Sequence, residues 1–407
     1  MSFRDLLNIR MNNLKGVLVH NEYLKFLKDN DQLLLSYLSL NIHGLIYYSL
    51  TDDCGIFGKM AFAAIINYNK EIFGLFHSNN YFFTRSSRVL TQKEPNRIFL
   101  HRILSISTIL LTNPSLHSQS SCGFLFQLIP LISDLSVLAF FERILTYSDE
   151  LRTVHEWLKN MGFSQVISNE ISCIDVGLYN EYHEFTYSLI NLFKIVQYSH
   201  QNPILSLDFK SFPIISAISR PFDSLPETVV DEQWKTYVSL YDNDSYDVMR
   251  VFFEQALSLM QNPTQIMRQS RVYSIALLTK MMKVDKDLIP FLSDSHIECI
   301  VLQLLYQFSD HSILINTIIF FVVEAFSNPG IREQMAKTIL LPLLFDGAKK
   351  ELPTLSAATH LIVDGALDAG NNDSSFMSLL LHIPGFSNYV ETELKTYHMR
   401  LKSSYGD

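Results

Sequence analysis

Apolar residues recur at helical spacing along almost the whole chain. Two such sets lie close together: Phe140, Phe141, Ile144 and Leu145, followed by Val154, Leu158 and Met161. Each set would cover one broad face of a helix. Strand-like alternation bounded by Asn-Gly or Asp-Gly turns is not conspicuous. The pattern predicts an all-α protein.

The stretch HEWLKNMGF places Trp157 at the edge of such a face, beside Leu158. Gly162 is expected to end this helix, because glycine readily adopts the left-handed conformation of a C-terminal cap. We therefore expect Trp157 to be buried between neighbouring helices. Three residues of the preceding apolar set are its expected packing partners: Phe141, Ile144 and Leu145.

Breaks rich in proline, glycine and aspartate separate the apolar segments at intervals of roughly fifteen to thirty residues. No segment aligns with another at a fixed period. A degenerate armadillo or HEAT-like solenoid is the architecture that fits best, because helix pairs with apolar inner faces can bury them by stacking on their neighbours. We divide the chain into helical repeats over residues 1–202 and continuing repeats over residues 203–407.

The segment 221–247 is the one marked shift in composition. It contains seven acidic residues: Asp223, Glu227, Asp231, Glu232, Asp242, Asp244 and Asp247. Its sequence suggests an acidic, partly irregular insertion, which is either a solvated loop or an acidic contact surface. We expect it to affect partner choice without being needed for assembly.

Composition limits the classes of ligand. The 407 residues are 48% hydrophobic and 18% charged, with a net charge of −9, so the chain is ordered and lacks the basic stripe that nucleic acids require. The first twenty residues contain no uninterrupted signal-peptide core, and we expect a cytoplasmic or nuclear protein. The apolar run from Ile313 to Phe326 is too short to span a bilayer, and we expect no membrane span.

Motifs that carry chemistry are missing. The sequence has no phosphate-binding glycine loop, no HExxH and no GxSxG, so we expect no catalytic residue, no metal site and no cofactor. His155 is expected at the surface or a boundary. The four cysteines are too far apart for a zinc site, and we expect buried free thiols: Cys54, Cys122, Cys173 and Cys299.

The run YFFTRSSR, residues 81–88, places aromatic side chains beside Arg85 and Arg88. Such a mixture can stack on bases, but the acidic chain as a whole favours core packing of the aromatics. The two arginines are then available to an acidic partner.

Three stretches together resemble the SAPS-domain family of phosphatase-associated regulatory subunits. In the first, Leu24 to Thr51, the family's lysine and following Leu-Leu-x-aromatic-Leu run correspond to Lys28, Leu34, Leu35, Tyr37 and Leu38. The family's Glu-Cys before that lysine is Phe26-Leu27 here. The second stretch matches at Ala63, Ile65, Ile66 and Ile72 but lacks the family's Tyr-Pro. The third matches at Phe141, Ile144, Leu145, Trp157, Leu158 and Val166.

The resemblance covers roughly residues 20–200. It implies a non-catalytic subunit that binds a type 2A-like serine/threonine phosphatase of the protein phosphatase 6 class and positions its substrates. The implied binding surface lies between about Leu24 and Val196, with Lys28, Arg85 and Arg88 as candidate contacts. Two alternatives stay open: an adaptor for other partners, and a helical enzyme whose site has no recognisable motif.

Overall fold

A computed structural model describes residues 2–8, 13–53, 55–67, 81–113, 119–174, 183–222, 224–262, 266–346 and 353–405. These residues form helices and connecting turns, with no strand among them. The prediction of an all-α, helical-repeat fold is confirmed. Cys54, Ile72 and Asp223, which the sequence analysis singled out, lie outside the described residues.

The chain divides into two compact units, Met1–Pro226 and Glu227–Asp407. The boundary therefore lies after Pro226 and not after residue 202. Residues 203–222 belong to the first unit because polar side chains attach them to it. The hydroxyl of Ser168 donates to the carbonyl of Pro213, and the guanidinium of Arg220 donates to the carbonyls of Ile171, Ser172 and Ile174.

The first unit consists of short and medium-length helices, with two 3-10 segments at Gln119–Leu131 and Asp149–Leu151. Its α-helices are α1 Phe3–Asn8, α2 Leu14–Leu18, α3 Tyr23–Lys28, α4 Gln32–Leu40, α5 Ile42–Ser49, α6 Ile56–Ile66, α7 Tyr81–Leu90, α8 Arg97–Leu111, α9 Leu135–Leu145, α10 Arg152–Asn160, α11 Phe163–Cys173, α12 His183–Gln201, α13 Ser206–Phe209 and α14 Phe212–Ile218.

Local sequence explains where several of these helices begin and end. Asp31, Asn96 and Asp134 precede α4, α8 and α9, and each side chain accepts a hydrogen bond from a backbone N–H of the first turn. Gly162 separates α10 from α11 with a φ of 71°, in the left-handed region. The predicted stop at Gly162 is confirmed.

Buried asparagines fix the alignment of α9 and α12, which pack side by side. Asn191, within α12, donates to the carbonyl of Ile132 just before α9, at 2.7 Å. Asn202, just after α12, donates to the carbonyl of Leu145 at the end of α9, at 2.8 Å. The two helices therefore run parallel, as neighbouring helices of one layer do in stacked repeats.

The second unit contains longer helices, with 3-10 turns at Arg250–Phe252 and Lys286–Leu288 and a π-helical turn at Val390–Leu394. Its α-helices are α15 Glu227–Leu240, α16 Tyr246–Met249, α17 Phe253–Gln261, α18 Gln269–Val284, α19 Ile289–Asp294, α20 Ile297–Gln307, α21 Ser312–Phe326, α22 Arg332–Asp346, α23 Pro353–Asn371, α24 Ser374–His382, α25 Phe386–Tyr389 and α26 Lys395–Tyr405.

A regular repeat appears in this unit. Helices α15, α18, α21 and α23 begin at residues 227, 269, 312 and 353, so successive starts are 42, 43 and 41 residues apart. This spacing lies within the range of about 40–47 residues that is typical of armadillo and HEAT repeats. Each of the four packs against the next, and they form one layer of the unit.

Polar contacts link corresponding positions of successive repeats. Asp231 of α15 accepts from the backbone N–H of Ser270 at the start of α18, and Lys280 near the end of α18 donates to the carbonyl of Val238 near the end of α15. Corresponding ends therefore meet, and the helices are parallel. The other layer is linked in the same way by an ion pair between Arg332 and Asp373 at 2.7 Å.

The acidic segment is not an irregular insertion. Most of it is α15, whose inner face buries Val229, Trp234, Tyr237 and Leu240 in the core of the second unit. Glu227 of this helix is exposed, whereas Asp231 and Glu232 are half-buried and Asp231 meets the start of α18. The concentration of acids in the sequence concealed a helix that contributes to the core. Deleting 221–247 would remove a core helix, so that deletion does not test the role of the acidic side chains. Their effect on partner choice and assembly stays a prediction.

The apolar run ending at Phe326 is α21, and most of its side chains are buried. Within the described ranges, no single helix is both long and apolar enough to cross a membrane. One pair, Lys286–Asp294 and Ile297–Gln307, meets the length and composition criteria together but is bent by 72°.

The cysteines are less uniformly buried than expected. Cys122 is buried, and burial raises the pKa of its thiol to about 12. Cys173 and Cys299 are exposed free thiols, so the expectation of burial is wrong for these two. Each is near a helix end, where apolar periodicity says little about burial.

Candidate functional site

The predicted packing residues of the third family-like stretch lie in the core of the first unit. Phe141, Ile144 and Leu145 of α9 and Leu158 of α10 are fully buried. Trp157 is only half-buried, and Met161 is exposed. The expectation of a well-buried Trp157 is therefore corrected: its position on the flank of α10 leaves one side of the indole open.

Trp157 packs against a ring that the sequence analysis did not identify. Its indole stacks on Phe126 of the preceding 3-10 segment, with centroids 5.3 Å apart. Phe126 in turn stacks on Phe163, which also contacts Phe141 and Phe209 at centroid distances of 6.1 and 5.7 Å. Trp157 is thus the outer member of an aromatic cluster that joins five helical segments.

His155 lies in the core and not at the surface. Its side chain is fully buried, its Nε2 lies 2.7 Å from the carbonyl oxygen of Ile144, and its Nδ1 has no hydrogen-bond partner. Burial lowers the pKa of His155. Periodicity could not reveal this, because a histidine can be buried only where the fold supplies a carbonyl to accept its proton.

The three predicted partner contacts lie on two helices. Lys28 is exposed at the end of α3, and Arg88 is exposed on α7. Arg85 is half-buried, with its guanidinium carbon 5.0 Å from the centroid of the Tyr47 ring. Arg88 and Lys28 therefore have charges directed to solvent, whereas Arg85 also serves to pack α7 against α5.

A cavity of about 690 Å³ opens near the end of α7 and the starts of α8 and α9. This volume is typical of sites that hold a small molecule or a few side chains of a bound segment. The lining residues are Lys93, Glu94, Pro95, Arg97, Leu100, Leu131, Ser133, Asp134 and Tyr187.

The cavity has an apolar floor and a charged mouth. Leu100 is buried beneath it, while Lys93, Glu94, Arg97 and Tyr187 are exposed. The first backbone N–H groups of α8 and α9 already donate to the side chains of Asn96 and Asp134. Recognition at this site therefore depends on side chains, chiefly the two cations and the hydroxyl of Tyr187.

Charge is distributed unevenly between the two units. The first has 18 Lys and Arg against 19 Asp and Glu, and the second has 14 against 22, which gives net charges of −1 and −8. Within the first unit, Arg85, Arg88, Lys93 and Arg97 follow one another with Glu94 as the one acid between them. The mouth of the cavity thus continues a basic stretch of an otherwise acidic protein.

Sequence reasoning identified the first half of this basic stretch and missed the second. Lys93 precedes Pro95 and Arg97 begins α8, so the sequence KEPNR shows a concentration of charge at a helix start. It does not show that Tyr187, ninety residues later, lies opposite. Among the residues that the structure describes, no group of three or more His, Cys, Asp or Glu side chains could hold a metal ion.

No protein-family model matches the sequence, and no curated protein matches it. A crystal structure of an engineered protein is similar over 94% of both chains, with 12% sequence identity and a TM-score of 0.43.

Proposed function

We propose that this protein is a non-catalytic helical-repeat scaffold that binds a partner protein through its first unit. The supporting observation is the cavity in which exposed Lys93 and Arg97 stand above an apolar floor. Such a site can take an apolar side chain of a partner while the cations pair with flanking acidic groups. The resemblance to the SAPS-domain family proposes a type 2A-like phosphatase catalytic subunit as this partner.

The scaffold would act by positioning. A stack of packed helices is rigid, so its surface is already arranged when the partner arrives and little conformational entropy is lost on binding. The cations at the cavity mouth would increase the encounter rate with an acidic surface and make binding sensitive to salt. Catalysis, with any metal ions it needs, would belong to the partner.

A pull-down of a purified type 2A-like catalytic subunit by the tagged full-length chain tests the proposal. The informative variant is Lys93→Glu combined with Arg97→Glu, which changes two exposed residues and should leave the melting temperature unchanged. We expect it to reduce affinity by about tenfold or more, because opposed like charges penalise binding. Lys159→Glu, an exposed reversal on α10, is the matched control and should bind as the parent does.

The possible results distinguish an error in the identity of the partner from an error in the proposed contact surface. If the unmodified chain retains no phosphatase, the partner identity is wrong. If the double variant binds as tightly as Lys159→Glu, the cavity is not the contact. Phosphatase-independent turnover in an activity screen of the purified chain, with and without added divalent metal, would favour the helical-enzyme alternative.

A further inference from the structure

One face of the second unit lacks charge over three neighbouring helices. Residues 269–279 of α18, 312–323 of α21 and 353–363 of α23 contain no Asp, Glu or Lys. Their one arginine, Arg271, is buried and donates to the carbonyl of Met260. Their one histidine, His360, is hydrogen-bonded to Tyr389. An uncharged surface of this extent is unexpected in a unit with a net charge of −8.

Large apolar side chains are exposed on this face. Ile313 and Phe320 of α21 are 55% and 71% exposed, and Leu361 of α23 is 40% exposed. Ile313 and Phe320 are two turns apart and share one side of their helix. Exposed apolar residues are ordinary when single, whereas a connected patch marks an interaction surface.

The helix register places Phe320 next to Leu361. Val323 of α21 lies against Gly365 of α23, as the lack of room for a Cβ at Gly365 shows. Phe320 is three residues before Val323, and Leu361 is four residues before Gly365, so both are one turn back on parallel helices.

Helices α18 and α21 also meet at corresponding ends, because Lys286 after α18 donates to Asn328 after α21. Counting back from this contact places Phe320 between the half-exposed Ala276 and the exposed Lys280 of α18. Ala276, Phe320 and Leu361 thus form a row across the three helices, which we call the apolar row.

Charged residues follow the apolar row on one side, toward the C-terminal ends of the three helices. The nearest are Lys280 of α18, Glu324 of α21 and Asp364 of α23, three or four residues after the row. Glu324 lies 4.0 Å from Lys286, and Asp364 lies 2.8 Å from His398.

Lys283 is seven residues after Ala276 on α18, and Asp368 is seven residues after Leu361 on α23; both are exposed. Seven residues are two helical turns, or about 10 Å. Between them, Ser327 is the corresponding exposed residue at the end of α21. On this side the row is therefore bordered by lysines at its α18 end and by carboxylates at its α21 and α23 end.

We propose that the apolar row docks one amphipathic helix of a partner protein, independently of the cavity in the first unit. Charge-poor, apolar centres with charged rims are typical of protein interfaces, and an amphipathic helix is the element that presents a straight apolar stripe. Three helices spaced by about 10 Å give a row about 20 Å long, which matches about 14 helical residues. The bound helix has a basic residue near Asp368 and an acidic residue near Lys283.

Designed helical peptides serve as probes. Each is about 16 residues long, has the same leucine stripe and carries a fluorescent label. One has lysine at one end and glutamate at the other, a second has glutamate at both ends, and a third has lysine at both. Fluorescence anisotropy with the full chain measures binding, and sedimentation at the same concentrations measures its oligomeric state.

We expect the lysine–glutamate peptide to bind about threefold or more tightly than either of the others, since it complements both charges. Phe320→Glu should weaken its binding by about tenfold or more, as at a central interface residue. Lys283→Glu should shift preference to the peptide with lysine at both ends. Phe345→Glu is the matched control, because Phe345 is 63% exposed on α22, in the other layer.

Three results would overturn the proposal. One is saturable peptide binding that is equally tight in the Phe320→Glu variant, when this variant has the same melting temperature as the parent protein. A second is an equal loss in Phe345→Glu, which would mean that the peptides bind elsewhere. The third is a dimer of the unmodified chain that Phe320→Glu dissociates, which would assign the face to a second copy of this protein.

Discussion

Gly365 of α23 and Val323 of α21 meet where the two helices leave no space for a side chain. A Cβ at Gly365 would lie 2.5 Å from Cγ2 of Val323. The valine cannot easily move away, because its branched side chain is restricted within a helix. This contact holds two successive repeats at their spacing and places Phe320 beside Leu361.

Gly365→Ala should therefore destabilise the protein. Alanine normally favours a helix over glycine by about 1 kcal/mol, but overpacking of a tight core contact costs about 1–3 kcal/mol. We expect a net loss of up to about 2 kcal/mol in urea unfolding followed by circular dichroism. Gly123→Ala is the control, because a Cβ there has no atom within 4 Å. Equal stability of the two variants would contradict the tight contact.

Arg102→Met should be among the most destabilising single changes in the first unit. The buried guanidinium of Arg102 donates to the carbonyl of Ser49 at the end of α5 and to those of Asp52 and Asp53 just after it. Its removal leaves these buried or half-buried oxygens without their charged donor, at a cost of about 3 kcal/mol or more. Chemical denaturation is the measurement. The exposed Arg88, changed to Met in parallel, should alter stability by about 0.5 kcal/mol or less.

Removing the central ring of the aromatic cluster should destabilise the protein more than removing its outer ring. Phe163→Ala removes a fully buried ring that contacts three others and should cost about 3–5 kcal/mol. Trp157→Ala removes a half-buried ring and should cost less. A double-mutant cycle with Phe126→Ala should give a coupling of about 0.5–1.5 kcal/mol to Trp157. A larger loss in Trp157→Ala than in Phe163→Ala would contradict this order.

Burial of His155 should make the free energy of unfolding decrease at mildly acidic pH. Burial lowers its pKa from the usual 6.5, so the unfolded chain binds a proton more readily than the folded one. The free energy of unfolding should then be highest above about pH 6.5 and fall as the pH decreases through the lower folded-state pKa. His155→Gln should show a smaller loss between about pH 7.5 and 5.5. An unchanged loss would exclude His155 as its source.

His360 contributes a similar dependence, which should remain in the His155→Gln variant. Its pKa is lowered mainly by burial. Comparing His360→Gln with His155→Gln separates the contributions of the two histidines, since they lie in different units. The variant with both substitutions should show a smaller dependence of the unfolding free energy on pH, between about pH 7.5 and 5.5, than either single variant.

The sequence alone indicated the helices and many of the residues that they bury. Periodicity assigned Phe141, Ile144 and Leu145 to one apolar helix face and Leu158 to the next, and all four are fully buried. Gly162 marked a helix end because its conformational freedom is a local property. These features depend on residues a few positions apart, which is the range over which a helical pattern carries information.

The repeat and the polar interior were decided by the tertiary structure. The spacing of 41–43 residues in the second unit is a spacing of packed helices, and it is invisible where the apolar residues differ in identity from one repeat to the next. His155, Arg102 and Asn202 are buried because each finds a backbone carbonyl to accept its proton. For Arg102 and Asn202 that carbonyl lies about fifty residues away, and no local pattern in the sequence could announce it.

The candidate surfaces show the same division. Arg85 and Arg88 stood out in the sequence, but the cavity formed by Lys93, Arg97 and Tyr187 exists only because α7, α8 and α12 converge on it. The apolar row likewise unites residues from three helices more than forty residues apart. The sequence by itself determined which faces of the helices are apolar; packing decided which apolar faces were covered and left Phe320 and Leu361 exposed, because a helix in a stack can bury only the sides that its neighbours reach.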